Sequence, residues 1–480
     1  MEVHGNQAGV VMSITSATRA SLARQCQAQG RRALSAAAPA AVAAALPLFS
    51  QGGNAFDVAV AAALVEAVAL PMKCGLAGDV VALVRKTDGD FRALVSVGPG
   101  SSALADGAKL TPTGSCSVGV PGAPDGYAEL AALGRLGLER LVSPAVEAAE
   151  RGVEWTSIGV DLARKAEPLL RRWNGDTVYL PEGRLPKVGE PLRLPGMAAL
   201  LRSFGGRSAE LFFDEIGEDI AAHVRAAGGF LSADDLRVRP ARWLDPASST
   251  QPSGATLWAT PAPTHGPALL RAVELACTGD LDPVDAALRA RSEFQGPPAA
   301  MAETGTSVVS AADDEGNIVV IVHSNSFPQF GAGLVVEAWN LVLNNRPGRG
   351  FDLDASPGAE NAPGAGRTPR TTLHAWALAR GEQVYFGATP GGANQMIWNL
   401  QSILDCLDGE EPGAVCTAPR WAIDEGGVVT CEADHAYADR AQVRIVPPLS
   451  LRAAQQLLRC GADGVVVAAD PRTGAQAEAA

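Results

Sequence analysis

The sequence predicts an α+β (α/β) protein in which two β-sheets stack face to face and helices cover their outer sides. Patterns typical of helices and of hairpins follow one another in the order helices, hairpins, a helical insert, hairpins and helices. Two early helical segments, 36–50 and 58–70, are apolar almost all round, as expected for helices held between layers. With 47% hydrophobic residues in a chain of 480, stacked sheets with helices outside would bury these apolar faces in a large core.

The first half of the chain predicts a short extended lead-in, helices and one hairpin. The pair Gly52-Gly53 is a typical helix-terminating signal. We expect the lead-in at 1–30, helices at 36–50, at 58–70 and through most of 125–290, hairpin strands at 80–85 and 91–97, and an exposed Pro- and Gly-rich loop at 295–305.

The second half predicts two further hairpins, separated by a long loop, and a mixed C-terminal tail. The turn 313–317 contains Gly316, which tolerates a positive φ. We expect hairpin strands at 307–312 and 318–324 and at 373–380 and 383–386, a helix at 394–407, a strand at 427–432, a helix at 453–460 and a strand at 464–469.

Composition and charge exclude several classes of function. The net charge of −13 argues against a nucleic-acid-binding surface. The six His show no HxxxH or CxxH spacing, so we expect no metal site, and the eight Cys form no CxxC pair and suit buried, reduced thiols. We also expect a cytoplasmic protein, because the N-terminus lacks a signal-peptide pattern and Pro and Gly interrupt the apolar stretches, against a membrane span.

The central hairpin carries a candidate nucleophile. Gly305 leaves the next peptide bond uncrowded, so the hydroxyl of Thr306 can attack its own preceding carbonyl. If that bond breaks, Thr306 becomes an N-terminus whose α-amine is a base for its own hydroxyl. The alternative is an ordinary strand threonine. Gly391-Gly392, at the start of the predicted helix 394–407, present N–H groups for an oxyanion, or else form a plain tight turn.

A cysteine hydrolase is a third possibility, since Cys74 lies beside Gly75. No local motif supports a catalytic role for this thiol.

Seven short segments, in this order and spacing, resemble the γ-glutamyltransferase family of N-terminal-nucleophile hydrolases along nearly the whole chain. They are Gly-Gly-Asn-Ala at 52–55, Val-Pro-Gly at 120–122, Gly-Gly-Phe-Leu-Ser-Ala-Asp-Asp-Leu at 228–236, the Pro/Gly segment at 261–269, Leu-Asn-Asn at 343–345, Pro-Gly-Gly at 390–392 and Ala-Asp-Pro-Arg at 469–472. The resemblance implies a four-layer αββα sandwich with a helical insert and a precursor that cuts itself before the nucleophile.

Counting back from Asp313, Gly316 and Asn317, the family's threonine falls on Thr306, with Thr304 as the alternative if the turn holds an insertion. The cut would give a large part, 1–305, and a small part, 306–480, which remain one folded unit.

The resemblance also assigns roles to other residues. Ser324 stands where a hydroxyl supports the nucleophile, and Gly391 and Gly392 match the oxyanion-hole glycines. The substrate-binding asparagine corresponds to Asn325, with Ser326 as the competing position. Thr371 and Thr372 occupy the place of a substrate-binding Ser-Ser pair.

Three departures from the family pattern concern the substrate. The arginine that grips the glutamate carboxylate is expected near 96–101, where the sequence has none, and such a clamp is hard to replace. Arg349 and Gly350 stand where an acid binds the glutamate amine. Val308 and Val309 replace a His and an aromatic residue.

These features predict an N-terminal-threonine amidase or acyltransferase that needs no cofactor. Its acyl donor would be a γ-glutamyl or other acylated small molecule rather than ordinary glutathione, and water or an amine would accept the acyl group. The second reading is an unprocessed, inactive family member that serves as a binding or scaffold protein. We expect no nucleic-acid or membrane partner.

Overall fold

The computed structural model describes residues 14–279, 281–294, 305–424, 427–440 and 442–480. The predicted loop 295–305 falls outside these residues except for Gly305. Within them, no helix is both long enough and apolar enough to cross a bilayer. The α-helices are α1 Ser16–Gln25, α2 Pro39–Ala45, α3 Ala55–Ala69, α4 Ala123–Ala131, α5 Leu138–Arg151, α6 Ser157–Trp173, α7 Pro195–Arg207, α8 Glu215–Ala226, α9 Gly266–Cys277, α10 Pro283–Phe294, α11 Arg346–Gly350, α12 Asn394–Asp408 and α13 Pro412–Thr417.

The strands belong mainly to two large sheets. They are β1 Gln27–Gly30, β2 Ala33–Ala36, β3 Asp79–Arg85, β4 Phe91–Ser96, β5 Val153–Glu154, β6 Pro191–Leu192, β7 Arg242–Leu244, β8 Ala247–Thr250, β9 Thr256–Ala259, β10 Thr306–Ala312, β11 Ile318–Ser324, β12 Val335–Val336, β13 Leu341–Val342, β14 Trp376–Arg380, β15 Gln383–Ala388, β16 Trp421–Ile423, β17 Val429–Glu432, β18 Arg444–Val446, β19 Gln456–Gly461, β20 Gly464–Ala469 and β21 Gln476–Ala479.

Each large sheet has seven strands. The first sheet has the order β21-β2-β10-β11-β3-β4-β7, and the second has the order β1-β20-β19-β15-β14-β9-β8. Both sheets combine strands from either side of residue 305, so the two halves of the sequence share one folded unit.

Successive side chains along each strand point to opposite faces of its sheet, and this alternation produces the four layers. Val308, Val320 and Val322 of the first sheet lie in one apolar cluster with Phe386 and Leu458 of the second sheet, which forms the interface between the sheets. The opposite faces pack on helices: α2, α3 and α4 contact the first sheet, and α9, α12 and α13 contact the second. The predicted αββα sandwich is confirmed.

The apolar helix α3 is the central helix of its layer. Fourteen of its fifteen residues are buried, and Asn54 caps its N-terminus through a reciprocal capping box with Asp57. α3 packs against β10 and β11. It therefore supports, from outside, the two strands that carry the candidate nucleophile.

Two predicted elements are wrong. The segment 453–460 contains the strand β19, from Gln456, in place of a helix, because it pairs with β15 and β20 in the buried second sheet and this pairing outweighs the helical propensity of its Ala, Gln and Leu residues. The lead-in includes helix α1 and strand β1, and β1 pairs with β20.

Candidate active site

The hydroxyl of Ser324 links the groups needed to cut the chain at Thr306. Thr306 and Ser324 are directly opposite in the β10–β11 pair, and Thr306 Oγ1 donates a hydrogen bond to Ser324 Oγ over 3.3 Å. Ser324 Oγ in turn donates to the carbonyl oxygen of Gly305, and the backbone N–H of Ser326 donates to Ser324 Oγ over 2.9 Å. One buried hydroxyl thus orients the candidate nucleophile and polarises the carbonyl that it would attack.

The position before Thr306 has room only for glycine. A Cβ atom on Gly305 would lie 1.9 Å from the carbonyl oxygen of Ser326, which real Cβ atoms do not approach. The glycine therefore lets the segment before the nucleophile pack against the end of β11.

The Gly391-Gly392 turn leads from β15 into α12. Its φ angles are +146° and +55°, and a Cβ on Gly391 would lie 2.5 Å from the ring of Trp398. Neither glycine N–H donates a hydrogen bond to a residue that the structure describes. These donors, at the positive end of a 15-residue helix, suit a developing oxyanion.

A cavity of about 230 Å³ lies beside this network, and we call it the arginine pocket. Its lining includes the residues Ser326, Phe327, Arg346, Arg349, Arg370, Thr371, Thr372 and Gly392. Thr306, Ser324 and Gly391 do not line the pocket themselves. They are connected to it through Ser326 and Gly392, which follow Ser324 by two residues and Gly391 by one.

Arg346 is the most constrained arginine of the pocket. Its side chain is 6% exposed, and its Nε donates to the buried carboxylate of Asp79 over 2.7 Å. Burial raises the pKa of Asp79, while the Arg346 guanidinium acts in the opposite direction. The Nη2 group of Arg346 is buried and finds no partner among the described residues.

The other two arginines lie over aromatic rings. The guanidinium of Arg349 lies 4.6 Å from the ring centre of Phe327, and that of Arg370 lies 5.0 Å from the ring centre of Phe294. Arg370 also pairs with Glu360 over 3.0 Å. The lining thus holds three arginines together with the carboxylates of Asp352 and Asp354.

The structure separates the two candidates for the substrate-binding asparagine position. The side chain of Asn325 points away from the pocket: its Nδ2 donates to the carbonyl oxygen of Pro71 over 3.2 Å, and it packs against Gly75 and Gly78. Ser326 lines the pocket, with φ of +73° and a buried hydroxyl that has no partner among the described residues. Ser326 is thus the better placed, and its part in binding stays a prediction.

Thr371 and Thr372 also line the pocket, and their part in substrate binding stays a prediction. Thr371 forms a parallel bridge with Thr264. The carbonyl oxygen of Thr372 accepts a hydrogen bond from His374 Nδ1 over 2.8 Å. Asn399 Nδ2 donates to the other ring nitrogen over 2.8 Å, so His374 sits as a neutral imidazole that supports the pocket wall.

The two alternative nucleophiles are Cys74 and Thr304. Cys74 is fully buried, its Sγ faces the carbonyl oxygen of Leu70, and burial raises the pKa of its thiol far above the usual range. A thiol in this state is inert, so the structure removes Cys74 as a nucleophile. Thr304 lies outside the described residues.

Sequence spacing missed one polar cluster, in which Glu66, Cys74 and His323 lie within 4.8 Å of one another. His323 Nε2 bonds to a carboxylate oxygen of Glu66 over 2.8 Å, and its Nδ1 bonds to the hydroxyl of Tyr127 over 2.6 Å. The second oxygen of Glu66 accepts two backbone N–H groups. These groups satisfy one another, one residue away from Ser324.

Comparisons with known proteins identify the family. The sequence model described as Gamma-glutamyltranspeptidase matches residues 41–288 and 280–480. The chain belongs to this family. The resemblance predicted from seven short segments is therefore confirmed.

Individual relatives are distant. A glutathione hydrolase 3 from Arabidopsis thaliana is 29% identical over 224 residues, 45% of this chain and 35% of the relative. An oxamate amidohydrolase proenzyme from Klebsiella pneumoniae is 28% identical over 236 residues, 46% of this chain and 44% of the relative. The matched part thus spans less than half the length of either curated relative. The crystal structure of a cephalosporin acylase from Bacillus halodurans is 25% identical, with a TM-score of 0.81, and the match covers 100% of this chain and 99% of that one.

Two buried histidines, His265 and His374, predict a loss of stability in mild acid. Burial lowers the pKa of His374 from 6.5 to about 4 and that of His265 to about 3. As the pH falls below 6.5, the unfolded chain binds these protons first, so stability present above pH 6.5 is lost towards pH 4. Between pH 6.5 and 5 we expect His374 alone to account for on the order of 1–2 kcal/mol of unfolding free energy.

Urea unfolding of the natural protein and of His374→Gln at pH 7, 6.5 and 5 measures this effect. The variant should lose less stability across this range than the natural protein. Equal pH dependence in the two proteins would contradict a buried, neutral His374.

Proposed function

We propose that this chain is a self-processing N-terminal-threonine amidase or acyltransferase whose acyl donor is a small amide with a carboxylate on its acyl group. The observation that carries the proposal is the hydrogen-bond chain from Thr306 through Ser324 to the Gly305 carbonyl. It is the arrangement that self-cleavage at this bond requires.

Processing begins with Thr306 Oγ1 attacking the carbonyl carbon of Gly305. Ser324 supports this step by accepting from the attacking hydroxyl and donating to the carbonyl oxygen as negative charge develops there. The C–N bond breaks as its nitrogen takes the hydroxyl proton, which frees the α-amine of Thr306 and leaves an ester between the Gly305 carbonyl and Thr306 Oγ1. Water hydrolyses the ester, which gives a carboxylate at Gly305 and restores the Thr306 hydroxyl.

Turnover then repeats the same chemistry on a substrate amide. The Thr306 hydroxyl attacks the substrate carbonyl, and the α-amine of Thr306 takes the hydroxyl proton. The α-amine then passes this proton to the substrate's amine nitrogen, which leaves. The N–H groups of Gly391 and Gly392 hold the oxyanion. Water or a second amine removes the acyl group from Thr306, so hydrolysis and transfer differ only in the acceptor.

The arginine pocket supports the choice of acyl group. Arg346 Nη2 and Ser326 Oγ are both buried in its lining without partners among the described residues, and buried donors without acceptors are costly. A carboxylate would accept from both. The volume of about 230 Å³ suits an acyl group of a few carbons.

The relatives' names support amide hydrolysis or acyl transfer as the reaction class. Their names include an oxamate amidohydrolase and a cephalosporin acylase alongside glutathione hydrolases. The cytoplasmic location predicted from the sequence also remains part of the proposal, and it fits eight cysteines that are all free thiols.

Replacing the nucleophile tests the reaction. The Thr306→Ala variant should lose at least about 1,000-fold in kcat/KM towards succinyl, glutaryl and γ-glutamyl p-nitroanilides, because no other group forms the acyl-enzyme. Thr306→Ser should keep measurable activity, since it retains both hydroxyl and amine. Thr250→Ala, an exposed threonine on β8, is the matched control and should behave as the natural protein. Full activity of Thr306→Ala would refute the proposal.

Replacing Arg346 tests the substrate class. Because its removal would strand the buried Asp79, the informative variant is the double change Arg346→Met with Asp79→Asn. We expect the ratio of kcat/KM for succinyl over butyryl p-nitroanilide to fall by about 10- to 100-fold, the worth of a hydrogen bond to a charged group. The exposed Arg237→Met is the control. An unchanged ratio would show that Arg346 does not recognise the carboxylate.

A further inference from the structure

A second and larger cavity lies on the outer side of the first sheet, among helices α2, α5 and α6. Its volume of about 1,040 Å³ is at the upper end of the usual range for small-molecule sites, about 300–1,000 Å³. No residue lines both this cavity and the arginine pocket. Its walls are mainly apolar and include Ala40, Ala44, Leu48, Leu70, Ile158 and Leu162.

One buried cation faces this apolar space. Lys73 lines the cavity although only 4% of the residue is exposed, and its ammonium group makes no hydrogen bond or ion pair with any residue that the structure describes. The nearby carboxylate of Glu66 is engaged by His323 and by two backbone N–H groups. Burial lowers the pKa of Lys73, and Glu66 raises it only in part. A buried cation without a partner is costly, and an anion in the cavity would offset this cost.

The charges around Lys73 also favour an anion. Lys73 also lines an adjoining space of about 150 Å³. The basic residues Arg164, Lys165 and Arg452 line this second space as well. The one acid of that lining, Asp161, pairs with Arg164 over 2.6 Å. At the outer rim of the large cavity, the exposed Glu147 pairs with Arg151, so it does not neutralise Lys73. Glu154 also lines the large cavity and is exposed to solvent.

We propose that this cavity is a binding site for a small amphipathic anion, an alkyl carboxylate whose head group pairs with Lys73. The alkyl chain would lie along the alanine face of α2 and against Leu70, Ile158 and Leu162. The carboxylate supplies the acceptor that the ammonium group lacks. This site is separate from Thr306 and does not depend on the reaction proposed above.

Isothermal titration of the whole chain with octanoate and with octan-1-ol at pH 7.5 tests the site. The two probes share their apolar chain and differ in charge, so their comparison isolates the head group without any mutation. We expect octanoate to bind at least about tenfold tighter than octanol, and Lys73→Met to abolish that preference. Lys86→Met, at a half-exposed lysine on the turn after β3, is the matched control and should bind as the natural protein.

A second variant addresses the apolar wall and leaves Lys73 in place. Ala44→Phe fills part of the cavity from the half-exposed side of α2 and should weaken binding of both probes. Circular dichroism verifies that each variant is folded. Octanol binding as tightly as octanoate, no binding of octanoate at millimolar concentration, or an unchanged preference in a folded Lys73→Met would each overturn the proposal.

Discussion

The pairing of β10 with β11 is the constraint on which the candidate site depends. It places Thr306 opposite Ser324, so that one hydroxyl accepts from the nucleophile and donates to the Gly305 carbonyl. A slip of one residue would turn Thr306 to the other face of the sheet. The register is held at the far end by Asp313, whose carboxylate accepts from the backbone and side chain of Asn317, and by full burial of both strands between helices and the second sheet.

The layered fold explains how a cut at this site can be tolerated. β10 follows the bond directly, and it lies between β2 from the first half of the sequence and β11 from the second. Its hydrogen bonds and the apolar contacts between the sheets do not pass through the Gly305–Thr306 peptide bond. Breaking that bond would free the amine of Thr306 while the neighbouring strands keep the residue in place.

Local patterns in the sequence predicted much of this arrangement. The central hairpin agrees with its prediction within one residue, because its turn and its alternation are encoded in adjacent residues. The helix after Gly391-Gly392 begins at Asn394 as expected. The helix predicted at 453–460 fails because a strand buried between two others owes its conformation to distant partners.

The features that the sequence did not reveal depend on contacts between distant segments. Lys73 and Glu66 are buried in these environments only when α3 and the segment after it pack against β11. Likewise, the choice between Asn325 and Ser326 depends on which side chain turns towards the pocket at the end of β11. The neighbouring residues in the sequence do not determine this orientation.

The intact mass and N-terminal sequence of the purified protein test self-cleavage before Thr306 most directly. We expect two fragments, with the smaller one spanning 306–480 and beginning Thr306-Ser307-Val308. A single chain that stays uncut for days would contradict self-processing and favour an inactive binding protein. A smaller fragment beginning at Thr304 would place the nucleophile two residues earlier and contradict the role assigned to Ser324.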